Sequence, residues 1–417
     1  MAPEREPLER APSAPLTAHR TTDAAVPVVR HPLHDLQRLA GNMAVGRLLQ
    51  RQEAGSGTVA PVAEPLDSAG VADALSFYRR QPWLYTREVI QDLRSRLGLD
   101  PAGGVDAELA QAVARFQRDE GSNDPALVID GKAGPRSTPR LFPSGLARAG
   151  EGGTFGGEAQ TEAFDQWDTL GTAQARADAL VEAVNRRLTA AGVSTVTAVL
   201  YDGDSPAEEG SFDFPTWTMQ LNRLLLNQSG LTKEDAASLA NTVYHEARHT
   251  EQWFWMARYL AGQGYSAAGI AHNLGIPAQI ARDAKAAPPI RPGTTDAVIA
   301  SGWYESVYGS GAAHREDVLT RLTEADWAVT TAKCRCQQSP SPANDALLAQ
   351  AEAAFDVVHD EYRELPEEND AWATGPMGEA NVTSGTPNPV PTPDVDPCEQ
   401  LRRAGRPVPA ASGGSGP

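Results

Sequence analysis

Cysteine is scarce in this chain, since 417 residues contain three of them. Cys334 and Cys336 are too close in sequence to pair comfortably, and Cys398 lies in a proline-rich tail. We therefore expect no disulfide framework, and Cys-x-Cys alone is a weak signal for a metal site. The fold then depends on a hydrophobic core, for which an apolar fraction of 41% is sufficient.

Long apolar runs are also missing. No stretch has the roughly 20 consecutive apolar residues that a transmembrane helix needs. The first six residues are largely polar and lack the apolar core of a secretion signal. We expect no transmembrane segment and, if the protein acts outside the cell, a delivery route other than general secretion.

Basic residues are outnumbered by acidic ones. Lysine and arginine total 36, aspartate and glutamate total 54, and the formal net charge is −18 at pH 7. No block rich in lysine or arginine stands out. This balance argues against nucleic acid or an anionic membrane as the main partner.

Proline and glycine, by contrast, are abundant, with 32 and 37 residues. Stretches rich in them and without hydrophobic periodicity are typical of linkers and disordered tails. A chain of this length has room for two or three domains. The predicted organisation is a disordered segment at residues 1–30, a helical leader segment at 31–52, a linker at 53–74, a small module at 75–145, a main domain at 155–375 and a disordered tail at 376–417.

Residues 231–259 carry a chemical pattern. Polar and acidic residues followed by an apolar stripe at helical spacing predict a helix here. Within it, His245, Glu246 and His249 spell H-E-x-x-H. Residues four apart lie on one face of a helix, so both histidines could bind one metal ion. Glu246 lies about 100° further round, where it could take a proton from a metal-bound water.

A strand is predicted on each side of a turn-rich segment before this helix. Residues 195–201 are rich in β-branched side chains, and residues 212–221 alternate between apolar and polar. Pro215 places the second strand at a sheet edge. An edge strand beside a metal-bearing helix is where a protease would bind an extended peptide by strand addition.

A strand, a helix with H-E-x-x-H and a later acidic ligand resemble the zincin metallopeptidases of the gluzincin type, over residues 155–375. The resemblance implies an α+β, mainly helical fold with a mainly helical lower lobe. It also implies Zn²⁺ as cofactor, a peptide or protein substrate, and hydrolysis by a metal-activated water. His245 and His249 would then be zinc ligands and Glu246 the general base.

The third zinc ligand is expected to be a carboxylate, because no histidine follows His249 at the metzincin spacing. Gluzincins present this glutamate on a second helix, often as E-x-x-A, and Glu368 fits that pattern. Pro366 suits the first turn of such a helix. Glu367 and Glu305 remain open as alternatives.

The match to the gluzincin pattern is imperfect at the next position. Where thermolysin-like enzymes carry an aspartate after the small residue, this chain has Trp372. Asp370 could replace that aspartate and orient a ligand histidine. A residue that stabilises the oxyanion is also required, and the candidates are Tyr304, Tyr308, Tyr362 and His314.

The small module resembles the three-helix peptidoglycan-binding-like domains. The matching segments are VIQDL at 89–93, AVARFQ at 112–117 and IDGKAG at 129–134. The usual D-G-x-F-G turn is replaced by residues 100–105, and Pro135 follows the last glycine. The resemblance implies either binding to cell-wall peptidoglycan or packing against the catalytic domain.

The leader resembles a short segment near the start of proteins associated with contractile, phage-tail-like injection systems. The matching residues, 36–51, read LQRLAGNMAVGRLLQR. The resemblance implies an effector or toxin cargo, made in the bacterial cytoplasm without a signal peptide, whose residues 31–52 contact the injection apparatus. The alternative is a helical prefix of the next domain.

A non-enzymatic hypothesis stands beside the peptidase. The chain would then be a cell-wall-binding or structural cargo protein with a vestigial zinc helix. Metal content separates the two, because a relic helix need not bind a metal ion.

Overall fold

The computed structural model describes residues 65–121, 127–203, 209–386 and 395–409. The predictions for residues 1–30, for the leader and for most of the linker lie outside these ranges. In the described part helices predominate and there is one small sheet, which confirms a mainly helical α+β fold. No helix among these residues is both long and apolar enough to cross a membrane.

The amino-terminal module begins earlier than predicted. Its helices are α1 (Ser68–Arg80), α2 (Arg87–Arg96), α3 (Ala107–Gly121) and α4 (Thr138–Leu141). The Asp67 side chain caps α1 by accepting a hydrogen bond from Gly70 N at 2.7 Å. The predicted linker at 53–74 is therefore too long, because its last residues are helical.

The module shares its core with the rest of the protein. The buried cluster comprises Tyr78, Tyr85, Val89, Ile90, Leu93, Leu109, Val113, Ala133, Leu141 and, from a much later helix, Val298. Polar contacts support this packing. Thr86 donates to the Gly293 carbonyl, and Thr295 donates to Asp92, both at 2.9 Å. The module is thus packed against the main domain.

Three helices lead from the module to the sheet: α5 (Glu151–Ala159), α6 (Trp167–Leu170) and α7 (Ala173–Ala190). The strands are β1 (Thr197–Tyr201), β2 (Gly210–Asp213) and β3 (Thr218–Asn222), in the order β1–β3–β2. Strand β1 is parallel to β3, and β2 is antiparallel to it.

The single strand predicted at 212–221 is wrong, because the structure has two strands there joined by a tight turn. Pro215 lies in that turn, and Trp217 adopts a left-handed backbone conformation with φ 57°. The apolar positions change from even to odd residue numbers across Pro215, from Phe212 and Phe214 to Trp217 and Met219, so the sequence does carry a sign of the reversal. Strand β2 is nevertheless at a sheet edge, as predicted.

The long helix α9 (Lys233–Gly262) follows the short helix α8 (Arg223–Leu226). A capping box begins it: Thr232 Oγ1 accepts from Asp235 N, and the Asp235 carboxylate accepts from Thr232 N. Most side chains between residues 236 and 261 are buried. The helix predicted at 231–259 is therefore confirmed, and it forms the centre of the main domain.

The chain after α9 is helical, as predicted. It forms α10 (Ala267–Leu274), α11 (Ala278–Ala286), α12 (Thr295–Val307), α13 (Ala312–Gln338), α14 (Pro342–Arg363) and α15 (Pro366–Thr374). Helices α13, α14 and α15 share a small core that includes Val318, Leu322, Phe355 and Trp372.

The tail predicted to be disordered at 376–417 contains ordered structure. A 3₁₀ turn at Gly375–Glu379 follows α15, and α16 (Pro397–Arg403) packs on α13. Cys398 forms a disulfide with Cys334, against our expectation of no disulfide. The two cysteines are 64 residues apart, and their proximity depends on the tertiary fold rather than on local sequence.

The disulfide predicts a measurable stability difference. Closing a loop of 64 residues constrains the unfolded chain, so Cys398→Ser should lower the free energy of unfolding by about 4 kcal/mol in oxidising buffer. Denaturant unfolding with and without reductant measures this. Cys336→Ser is the matched control because Cys336 is free. An equal loss in the control, or a loss unaffected by reductant, would contradict the pairing.

Candidate metal centre

Helix α9 brings the two histidines of the motif into contact, and α15 adds a carboxylate. His245 Nε2 and His249 Nε2 are 3.1 Å apart. Glu368 Oε2 lies 3.3 Å from His249 Nε2 and 3.8 Å from His245 Nε2. Ligand atoms around a tetrahedral zinc ion are about 3.3 Å from one another. The three residues therefore fit one such ion, and we call them the ligand group.

The start of α15 explains how Glu368 reaches the histidines. Pro366 occupies the first turn, where its missing N–H costs nothing, and the Leu365 carbonyl accepts from Asn369 N at 2.7 Å. Glu368 thus projects from a fixed first turn towards α9. The Tyr362 hydroxyl, at the end of α14, makes a hydrogen bond with its carboxylate.

The electrostatics of the ligand group are those of a buried ion pair. Burial raises the pKa of Glu368, but His249, His245 and Tyr362 lower it more, so the net shift is downward. Burial lowers the pKa of His249, while Glu368 and Glu246 outweigh it and raise the value. Burial and His249 lower the pKa of His245. The protonated His249 thus carries a positive charge that faces the Glu368 carboxylate, where a metal cation would otherwise lie.

Glu246 is buried beside the ligand group, but its carboxylate is hydrogen-bonded to the backbone of β2. Its Oε2 accepts a hydrogen bond from Phe212 N of β2 at 2.8 Å. Asn222 N donates to the Glu209 carbonyl, so these two residues form a hydrogen-bonded pair between β2 and β3. Hydrogen-bonded and non-hydrogen-bonded pairs alternate along an antiparallel strand, so the N–H of Phe212, three residues after Glu209, faces away from β3. Burial raises the pKa of Glu246 to about 7. A carboxylate with this pKa is suited to accept a proton.

Gln252 fixes the orientation of His249. The Gln252 amide nitrogen donates to the Glu367 carbonyl and to Asp370 Oδ2, both at 2.8 Å. Its oxygen must therefore face His249 Nδ1, which is 2.8 Å away and has to carry the hydrogen. With one hydrogen fixed on Nδ1, loss of the proton on His249 Nε2 leaves a lone pair that points into the ligand group.

Asp370, predicted to orient a ligand histidine, reaches His249 through Gln252, which lies between them. Asp370 also receives two hydrogen bonds from Arg248, at 2.8 and 3.2 Å. Gln252 was missed by sequence reasoning, although it lies three residues after His249 and seven after His245 on the same helix face. Trp372, at the position of the family aspartate, packs edge-on against His245 at 5.2 Å.

The two alternative carboxylates lie elsewhere. Glu305 is exposed and accepts from Ser310 N and Oγ at 2.9 and 3.0 Å. Glu367 is buried, but Arg315 Nε donates to its carboxylate at 2.6 Å. Among the described residues, the group that could hold a metal ion contains Glu368 and neither of these.

The four candidates for oxyanion stabilisation have different neighbours. The Tyr308 hydroxyl accepts from Trp253 Nε1 and donates to the Leu274 carbonyl, at 3.0 and 2.8 Å. His314 lies near Glu361, and Tyr304 packs against Tyr259 and Tyr308. Tyr362 contacts the ligand group itself through Glu368.

Buried charge is unbalanced around the ligand group. Among the described residues there, the buried carboxylates are Glu246, Glu251, Glu367, Glu368 and Asp370, and the buried arginines are Arg248 and Arg315. Arg248 pairs with Glu251 and Asp370, and Arg315 pairs with Glu367. Neither arginine makes an ion pair with Glu246 or Glu368, which face the histidines.

Comparison of the chain with protein-family models, curated proteins and solved structures finds no match. The resemblances drawn from the H-E-x-x-H helix and from residues 75–145 therefore stay predictions. The ligand group rests on the geometry of α9 and α15.

Proposed function

We propose that the protein is a zinc-dependent metallopeptidase of the gluzincin type. His245, His249 and Glu368 would hold the ion, and Glu246 would act as general base. The observation that carries the proposal is a division of roles. Three side chains converge at ligand spacing, and a fourth carboxylate is held beside them by a backbone amide instead of joining them.

The charge imbalance supports a divalent cation at this position. Buried carboxylates are costly unless they are paired or bind a metal. Two arginines against five buried carboxylates leave an excess of negative charge, which a dication would reduce. The donor set also suits zinc, since two imidazole nitrogens and one carboxylate leave the fourth tetrahedral position open for water.

The residues have distinct roles in the proposed hydrolysis. A zinc ion, when bound, lowers the pKa of a water molecule and polarises a peptide carbonyl. Glu246 accepts the proton of the attacking water and passes it to the leaving amine. Of the four proposed donors, Tyr362 is the one that interacts with Glu368 of the ligand group, and its hydroxyl would stabilise the negative charge that develops on the carbonyl oxygen.

The proposed peptide-binding element is the edge of β2 that is not paired with β3. Phe212 N faces this edge and already donates to Glu246. A peptide added there as an extended strand would lie directly beside the general base. In this arrangement the scissile bond and the base would lie on the same side of the sheet.

A second candidate function is a structural metal site, and burial favours it. His245, Glu246, His249 and Glu368 are 2, 3, 4 and 1% exposed. Structural zinc sites are closed, whereas catalytic sites keep a position open. In the peptidase, residues that cover the ligand group have to move before a substrate binds.

The proposal extends to delivery. Disulfides such as Cys334–Cys398 persist mainly in oxidising surroundings, which supports action outside the bacterial cytoplasm. We propose an effector or toxin cargo of a contractile injection system, with residues 31–52 as the contact to the apparatus. Peptidoglycan is a further proposed partner, through residues 75–145. A cell-wall-binding or structural cargo protein without activity is the alternative.

Metal content and one conservative substitution test the enzyme. We expect about one zinc ion per chain, retained by Glu246→Gln, whose hydrolysis of a quenched peptide mixture should fall by about 10²–10⁴-fold because the base is lost. Elemental analysis and fluorescence measure the two quantities.

The controls for this experiment separate the possible carboxylate ligands. Glu368→Ala should lose the metal and Glu305→Ala should keep it. A folded wild type without zinc after growth with added metal would refute metal binding. Zinc that stabilises the fold equally in wild type and Glu246→Gln, with no hydrolysis by either, would favour the structural site.

The contact between Gln252 and His249 predicts a change in metal affinity. Gln252→Met keeps the volume but removes the acceptor for His249 Nδ1, so zinc affinity should fall by about 10–100-fold. Competition with a chromophoric chelator measures it. Gln160→Met is the matched control, because Gln160 is also buried and bonded but contacts Asp165 and Ser384. Equal affinities in both variants would mean that Gln252 does not position the ligand.

A further inference from the structure

The segment that joins the module to the main domain is bonded into the surroundings of the ligand group. We call residues 140–146 the connector. At its start, Arg140 Nη2 donates to Asn369 Oδ1, next to Glu368 in sequence, at 3.0 Å. Further on, the Ser144 carbonyl accepts from Arg248 Nη1 at 3.1 Å.

In Leu146, the last residue of the connector, both the backbone N–H and the carbonyl are hydrogen-bonded to side chains of α9. Leu146 N donates to Glu251 Oε2 at 3.0 Å, and the Leu146 carbonyl accepts from the Tyr244 hydroxyl at 2.7 Å. Tyr244 precedes His245, and Glu251 follows His249 by two residues. The connector therefore contacts α9 on both sides of the H-E-x-x-H motif.

A continuous set of buried hydrogen bonds leads from the connector to His249. Glu251 Oε2 accepts from Arg248 Nη1 at 2.6 Å. Arg248 binds Asp370 through two nitrogens. Asp370 accepts from Gln252, whose oxygen faces His249 Nδ1. Each of these residues is at most 4% exposed, so no link is screened by bulk water.

Gly145 allows the connector to approach this closely. Its backbone has φ 51°, and a Cβ atom at this position would overlap the Glu251 carboxylate. Any other residue would push Glu251 away or displace the connector. The close contact between backbone and carboxylate therefore requires glycine here.

We propose that the connector is a positioning element of the metal centre, through which the amino-terminal module forms a fixed part of the metal-binding unit. The inference rests on the proposed binding of zinc by the ligand group. It assigns residues 140–146 a role in setting the orientation of His249 and the placement of α15. The module is then necessary for tight metal binding, whether or not it also binds peptidoglycan.

The packing of the module is consistent with this role. Val298 of α12 belongs to the core of the module, and Gly302 lies so close to Pro135 that a Cβ atom would overlap it. Arg136 forms an ion pair with Glu364 at 3.4 Å, next to the start of α15. A module attached only by a flexible linker would make none of these contacts.

Two glycines provide a matched test. Gly145→Ala introduces both a strained φ and a clash with Glu251, whereas Gly150→Ala introduces a strained φ alone, with φ 87° and no atom within 4 Å. We expect Gly145→Ala to bind zinc at least about 10-fold more weakly than Gly150→Ala. In the zinc-free form Gly145→Ala should be less stable than Gly150→Ala because of the clash with Glu251, so the affinities are compared under conditions in which denaturant unfolding shows both variants to be folded. Chelator competition, denaturant unfolding and the visible spectrum of bound Co²⁺ are measured on the full chain.

If Gly145→Ala does not fold, a second pair of milder substitutions provides the test. Tyr244→Phe removes the hydrogen bond to Leu146, and Tyr78→Phe removes comparable buried bonds inside the module. Weaker zinc binding and an altered Co²⁺ spectrum in Tyr244→Phe alone would support the proposal. Equal affinities within both pairs would overturn it while leaving zinc binding intact. A folded wild type that binds no zinc would instead refute the proposed function and this inference with it.

Discussion

The rest of the main domain depends on the placement of negative charge beside α9. The carboxylates of Glu246, Glu251, Glu367, Glu368 and Asp370 are all buried there. Unpaired buried charge costs several kcal/mol per group, so each carboxylate needs a partner. Arg248 and Arg315 neutralise one side of the cluster. The other side faces the histidines, where a proton on His249 or a metal ion has to balance Glu368. The fold thus leaves a cation position between α9 and α15.

This constraint explains the unusual character of α9. A helix buried on nearly all sides would ordinarily be apolar all round, yet α9 carries His245, Arg248, His249 and Gln252 on one face. These polar groups are tolerated because each has a hydrogen-bonding partner within the protein. The partners of Arg248 and Gln252 come from the connector and from α15, segments more than 100 residues away, whereas His245 and His249 contact each other and Gln252 within the helix. Specific tertiary contacts, rather than helix propensity, therefore position the ligand group.

The sequence could predict the parts of the centre that follow from local periodicity. Helical spacing places His245 and His249 together, and Pro366 marks the first turn that presents Glu368. Gln252 was equally accessible, since its position follows from the same spacing, but the role of a glutamine is set by its partners. The contacts of Arg248 with Ser144, and of Cys334 with Cys398, join residues 104 and 64 apart. No local pattern encodes such pairs. The hairpin at 210–222 was missed although the alternation of apolar residues changes phase across Pro215, which is a sign of a turn.

The contacts that the connector and Thr386 make at α9 change what a wall-binding module would do here. A module on a flexible linker raises the local concentration of substrate and leaves its orientation free. This module shares Val298 with the main domain, and its connector reaches Arg248. From the carboxyl-terminal side of the main domain, Thr386 N donates to the Leu231 carbonyl just before α9 begins. A ligand bound to the module would therefore be held at a fixed distance from the metal centre. Movement that exposes the ligand group has to involve covering residues around the centre, while the module and α9 move together.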